Sequence, residues 1–237
     1  MEYNGANFIL NLIIFSINVL NMPLELEYRP AVPITTGVWK ITETEEELWD
    51  LLPQHAEDKI FVNTVSVYHP QRRIEMLASR ALIKKLLGFE HKIIYNGRIP
   101  GIANKELYIS ISHSHEYVAV TISESLEVGV DVQRISDKVK KVAHKFVHTE
   151  EWAMIKDENE LEYLNLLWAA KECLYKLYKH GDITFNEHLH IQGFDLAKEG
   201  KFWATLYTKD NDMLAQMSYH CWDKFVLVYG FFLSKMV

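Results

Sequence analysis

Between Val128 and Gln133 the chain alternates strictly. Val128, Val130 and Val132 fall on one face, while Asp131 and Gln133 share the other, because side chains of an extended strand reverse at every residue. Further strands are predicted at Val38–Ile41, Ile93–Tyr95, Leu107–Ser112, Tyr117–Ser123, His188–Gly193, Phe202–Thr208, Met217–Cys221 and Phe225–Phe232. Helical spacing takes over from Gln71 to Leu87, where Ile74, Leu77, Ala78, Ala81 and Leu82 line one side. Shorter helices are predicted at Glu45–Leu52, with acid at its start, at Val139–Phe146 and at Glu150–Ile155; a long one covers Leu161–Tyr178. Each half of the chain thus carries a long helix and several strands.

Composition narrows the class. With 237 residues, 49% of them hydrophobic and 24% charged, the chain is long enough to bury a sizeable core as one domain or two small ones, and reads as a soluble globular protein. A net charge of −7 and the lack of a basic stripe interleaved with aromatics argue against broad nucleic-acid binding. The two cysteines, Cys173 and Cys221, have no metal-ligand spacing and form no disulfide framework, which suits a reducing cytoplasm. From Phe8 to Leu20 only Asn11, Ser16 and Asn18 interrupt an apolar run. That run is shorter than the ~20 residues a bilayer span needs, and Glu2 is the only charge before Glu25, unlike a secretory leader. The expectation is that Met22 is the natural start, that residues 1–21 are an upstream or loose extension, and that the protein does not enter a membrane; an interfacial anchor is the lesser alternative.

Candidate chemistry centres on the Asp131 strand and the long helix about forty residues later. Glu172 and Lys176 are four apart and stack on one helix face. Strand and helix together offer two carboxylates and a cation, a sparse oxygen set that leaves a magnesium ion room for water and phosphate. The ordinary alternative is an exposed strand aspartate and a solvated Glu–Lys pair contributing about 0.2–0.5 kcal/mol. From these residues alone the two readings stand level.

Residues upstream complete a pattern. Ser112-His113-Ser114 lies within Ile109–Ser123, followed by Gly129-Val130-Asp131 and then by Trp168-Ala169-Ala170-Lys171-Glu172-Cys173-Leu174-Tyr175-Lys176. Phe146 to Trp152, with Glu150-Glu151, sits between the second and third motifs, and Asn96-Gly97-Arg98-Ile99-Pro100 precedes the first. In this order and spacing the chain resembles the 4'-phosphopantetheinyl transferases, roughly from Arg72 to Lys179. The resemblance implies an α+β fold of two similar α/β subdomains in pseudo-twofold arrangement, here residues 22–125 and 126–237, with coenzyme A between them. The boundary near Ser125 rests on the resemblance and not on linker composition.

The same resemblance implies transfer of the phosphopantetheine arm of coenzyme A to a serine of an apo acyl or peptidyl carrier protein, with Mg²⁺ as cofactor and 3',5'-ADP as second product. Asp131 and Glu172 would hold the metal, with Gln133 as a third ligand. Glu172, Lys176 and Lys171 would form the catalytic set; Glu172 and a metal-bound water are both open as the base. Arg80 first and Arg73 second, with Ser112, His113 and Lys176, would bind the coenzyme. Gln133 departs from the acid that longer members carry there, supplying an amide oxygen without charge. Cys173 reads as packing. Lys138, Lys140, Lys141, His144 and Lys145 form a basic amphipathic stretch where similar proteins meet the carrier, though an ordinary solvated face explains it equally. His188 and His190 share a strand face, but no third zinc ligand is evident. A monomer is expected, since both halves of the site lie in one chain. The rival readings are a catalytically silent coenzyme A or carrier-binding module and an unrelated Mg²⁺-dependent phosphohydrolase.

Overall fold

The computed structural model describes residues 24–28, 34–53, 55–88, 90–97, 99–179, 182–209 and 211–236. The expectations about residues 1–21, the Met22 start and Arg98 lie outside them. The chain opens with β1 (Leu24–Tyr28) and β2 (Ile34–Lys40), then α1 (Glu45–Asp50), α2 (Ala56–Val65) and α3 (Pro70–Leu87). A reciprocal capping box between Thr44 and Glu47 starts α1. Pro70, which has no amide hydrogen to lose, opens α3. The sequence pattern announces neither α2 nor β1: α2 begins without a Ser, Thr, Asp or Asn at its cap, and Asp58 reaches back to the His55 amide instead.

A hairpin of β3 (Ile93–Asn96) and β4 (Ile99–Ile102) follows, with Gly97 in the left-handed region at its turn. Then come β5 (Tyr108–Ser114), β6 (Tyr117–Ser123) and β7 (Val128–Arg134), all close to their predicted bounds. The predicted helix over 139–146 is a short α4 (Lys138–Val142) running into a 3₁₀ turn, Ala143–Lys145, and the one over 150–155 is a 3₁₀ turn, Glu151–Met154. The long α5 (Glu160–Tyr178) ends in a left-handed Lys179. After α6 (Phe185–His188) the strands β8 (Leu189–Ile191), β9 (Glu199–Leu206), β10 (Asp212–Trp222) and β11 (Phe225–Met236) complete the chain.

These strands form two antiparallel sheets, ordered β1-β2-β6-β5 and β7-β11-β10-β9-β8, beside the small hairpin. The first packs Val118, Val120 and Ile122 against α3 residues such as Leu77, Ala78 and Leu82. The second packs Val226, Val228 and Met217 against Ala169, Ala170 and Cys173 of α5. Between the sheets, Val38, Tyr117 and Ala119 meet Val130, Val132, Phe225, Leu227 and Tyr229. The layers therefore run helix, sheet, sheet, helix, a mixed α+β architecture. Among the described residues no helix is long and apolar enough to cross a membrane.

Candidate active site

The site forms where β5 and β7, edge strands of different sheets, run side by side. Serine hydroxyls do part of the work of a backbone ladder. Ser110 Oγ accepts from the Val130 amide at 3.1 Å, Ser114 Oγ accepts from the Arg134 amide at 3.2 Å, and Ser112 Oγ donates to Asp131 Oδ1 at 2.8 Å. The alternation Ser-Ile-Ser-His-Ser supplies this stitch, since the three serines share one face while Ile111 and His113 turn toward the α3 side. Asp131 is buried, which excludes the exposed-aspartate alternative.

What covers Asp131 is α5, and Gly129 lets it approach. A Cβ on Gly129 would stand 2.4 Å from the Cys173 carbonyl oxygen and 2.9 Å from Leu177 Cγ. With helix backbone this close to the strand, Lys176 reaches over. Its Nζ bonds Asp131 Oδ1 at 2.8 Å, Ser112 Oγ at 3.0 Å and the Val130 carbonyl at 3.1 Å. Burial pushes the Asp131 carboxyl upward, while Lys176 and Ser112 hold it toward the ionised form. Desolvating a carboxylate costs several kcal/mol or so unless it is paired and hydrogen-bonded, as here. One helical turn earlier, half-buried Glu172 is also raised, by burial first and then by the negative charge of Asp131, with Lys176 opposing. No described residue pairs with its carboxylate. Two acids thus share one ammonium, a deficit of positive charge that a hard divalent cation with oxygen ligands corrects.

His113, at the same end of β5, binds Glu75 Oε2 through Nδ1 at 3.1 Å and lies against Arg72, which pairs with Glu75 at 3.2 Å. Burial chiefly keeps its imidazole below the ordinary range, and the cations Arg72 and Lys176 push the same way against Glu75. Lys176 bonds Ser112, the residue before His113, at 3.0 Å, so groups of β5 and α5 meet at one site.

The comparisons with known proteins bear on the same segment. A family model described as the 4'-phosphopantetheinyl transferase superfamily matches residues 127–226. A curated relative, 4'-phosphopantetheinyl transferase gsp of Aneurinibacillus migulanus, is 30% identical over 132 residues, 53% of this chain and 55% of the relative. The match thus spans about half the length of that relative.

Within this matched segment the structure brings together Asp131, Glu172 and Lys176, joined by Ser112 and His113 from outside it. Three expectations need correction. Lys171 is turned away: it is buried, pairs with Glu151 at 2.6 Å, and donates to the carbonyls of Phe146 at 2.5 Å and Phe185 at 3.3 Å. Consecutive helix residues point about 100° apart, so Lys171 and Glu172 cannot serve one small site. Arg80 is fully buried, bonds Asp58 at 2.7 Å and stacks on Phe61. Arg73 is held by Glu45 through two bonds of 2.8 and 2.7 Å. The arginine beside His113 is Arg72, one position from Arg73 and on a different helix face; the seven-residue spacing favoured the pair that faces α1 and α2. Gln133 donates through Nε2 to the Asn165 carbonyl at 2.5 Å, so its amide oxygen is the atom left for a cation. The basic stretch is exposed at Lys138, Lys140, Lys141, His144 and Lys145, with Lys140 paired to Glu160. Cys173 is buried packing, its thiol pushed far up by burial.

Proposed function

We propose that this chain transfers the 4'-phosphopantetheine arm of coenzyme A to a serine hydroxyl of an apo carrier protein, releasing 3',5'-ADP, with Mg²⁺ as cofactor. The observation that carries the reading is the joining of Ser112, Asp131 and Lys176 in one hydrogen-bonded cluster within the field of Glu172. Asp131 and Glu172 would hold the cation, Gln133 contributing at most its amide oxygen. When bound, Mg²⁺ supplies positive charge to the pyrophosphate. The residues themselves do the rest. Lys176, anchored by Ser112 and the Val130 carbonyl, presents a point charge to phosphate oxygens. Glu172 has a raised proton affinity, which suits it to take the proton of the attacking serine. Arg72 and His113 offer adjacent donors for the coenzyme's phosphomonoester. Lys171 is a positioning residue that fixes the start of the segment 146–151 to α5.

On this reading the two layered halves are the related subdomains 22–125 and 126–237, and one chain holds the whole site, so a monomer suffices. The exposed lysines of α4 are the surface offered to an acidic carrier. The test is mass spectrometry of an apo carrier protein incubated with coenzyme A, Mg²⁺ and this chain. The carrier should gain the mass of the arm, and removal of Mg²⁺ should stop the gain. Hydrolysis of coenzyme A with no carrier modification would refute transfer.

A further inference from the structure

A second cluster of ligand-type side chains lies outside this site. His148 and Glu150 sit on the stretch between the two 3₁₀ turns, and His190 sits in the middle of β8. Their ligand-type atoms all fall within 4.8 Å of one another. The two imidazoles are in ring contact, centroids 3.9 Å apart. Sequence spacing pairs His190 with His188 and offers no third ligand. The tertiary fold replaces His188 with His148, forty-two positions away, and adds Glu150.

The backbone beneath these side chains is fixed. Glu151, buried, accepts from the His148 amide at 2.8 Å with one carboxylate oxygen and from the Ile191 amide at 2.8 Å with the other. Lys171 neutralises it at 2.6 Å. One buried carboxylate therefore ties the residue carrying the first imidazole to the neighbour of the residue carrying the second. His190 is further oriented from outside: its Nε2 lies 3.2 Å from the Glu187 carbonyl, and Tyr207 meets its ring edge-on at 4.7 Å. An Nε2–H donated to that carbonyl fixes the tautomer that leaves Nδ1 as a lone pair, the way metal-binding histidines are commonly held. The weak contact from the Glu150 amide to His148 Nδ1, 3.3 Å, is the competing use of these groups.

We propose that His148, Glu150 and His190 form a binding site for a borderline divalent cation of the zinc class, bridging the 146–151 segment to β8. Two imidazoles and one carboxylate with a solvent-facing fourth position is a donor set that zinc takes, and imidazole discriminates against magnesium. The other carboxylate-containing cluster, His55, Glu57 and Asp58, is different, because Arg80 and Lys84 already occupy its acids.

The experiment is a Zn²⁺ titration of the chelator-stripped full chain against a chromogenic chelator, with millimolar Mg²⁺ present, and a parallel Co²⁺ titration read by visible absorption. One equivalent should bind in competition with the chelator. His148→Ala and His190→Ala should each weaken it about 10- to 100-fold or more, while His188→Ala leaves it unchanged. Glu150→Gln, at an exposed side chain, should also weaken binding and serves if a histidine variant does not fold. No competitive binding by the unmodified chain overturns the proposal. So does affinity unchanged in the folded His148, His190 or Glu150 variants, or loss confined to His188→Ala. Transfer activity plays no part in these readouts, so the outcome is separate from that of the proposed reaction.

Discussion

Gly129→Ala is a single methyl placed where the strand and α5 touch. The nearest atom is a backbone carbonyl oxygen at 2.4 Å, which cannot rotate aside as a side chain would. Ordinary contact begins near 3.4 Å, so α5 must retreat by about 1 Å, or the strand must bend, costing roughly 1–3 kcal/mol as overpacking does. The carbonyl belongs to Cys173, which lies between Glu172 and Lys176, so any retreat carries both functional groups away from Asp131. Displacement of that size costs about a hundredfold in rate where geometry carries catalysis. The expected variant is folded, less stable in urea, and reduced in kcat far more than in affinity for coenzyme A. The assay is carrier modification by mass spectrometry, with urea unfolding followed by circular dichroism on the same preparation. Wild-type kcat together with a wild-type urea midpoint would falsify the close-approach role of Gly129.

Two further outcomes separate the lysines and acids of α5. Lys171→Met breaks a buried ion pair and leaves Glu151 uncompensated, which should cost about 3–5 kcal/mol; pairing it with Glu151→Gln should recover much of that in a double-mutant cycle read by urea unfolding. A large loss of transfer without loss of stability in Lys171→Met would instead make this lysine a catalytic residue. For Glu172 the folded-state carboxyl is raised, so the stability linked to its protonation is present below the unfolded value and lost as pH rises through the folded one. Glu172→Gln should therefore be inactive yet more resistant to urea than wild type at neutral pH, with the advantage shrinking in acid. Equal midpoints at every pH would contradict the strained carboxylate. The acid limb of wild-type activity should lie above the ordinary carboxylate range and move down as Mg²⁺ is added, because the metal takes only the ionised form.

The strongly periodic elements were legible because their period is a local property: β6 and α3 need only the order of apolar residues to declare themselves. The breaks were less so. The predicted 139–146 helix passes into a 3₁₀ turn at Ala143, although Val139, Ala143 and Phe146 share one helical face and all reach the core. Arginine assignment also failed. The seven-residue spacing of Arg73 and Arg80 correctly gave them a common face, but which face meets β5 and which meets Glu45 and Asp58 depends on how α1 and α2 return over α3.

By itself the sequence determined the strand with Asp131 on its polar face, the helix pairing Glu172 with Lys176, and the order of motifs on which the resemblance rests. Those follow from periods of two and 3.6 residues and from residue identity. Only the tertiary structure decided that Ser112 and Lys176 converge on one oxygen of Asp131, that Lys171 is a buried clamp, and that His148 joins His190. Each of these rests on contacts between segments distant in sequence, set by Gly129 admitting α5, by the serines joining β5 to β7, and by Glu151 tying residue 148 to residue 191.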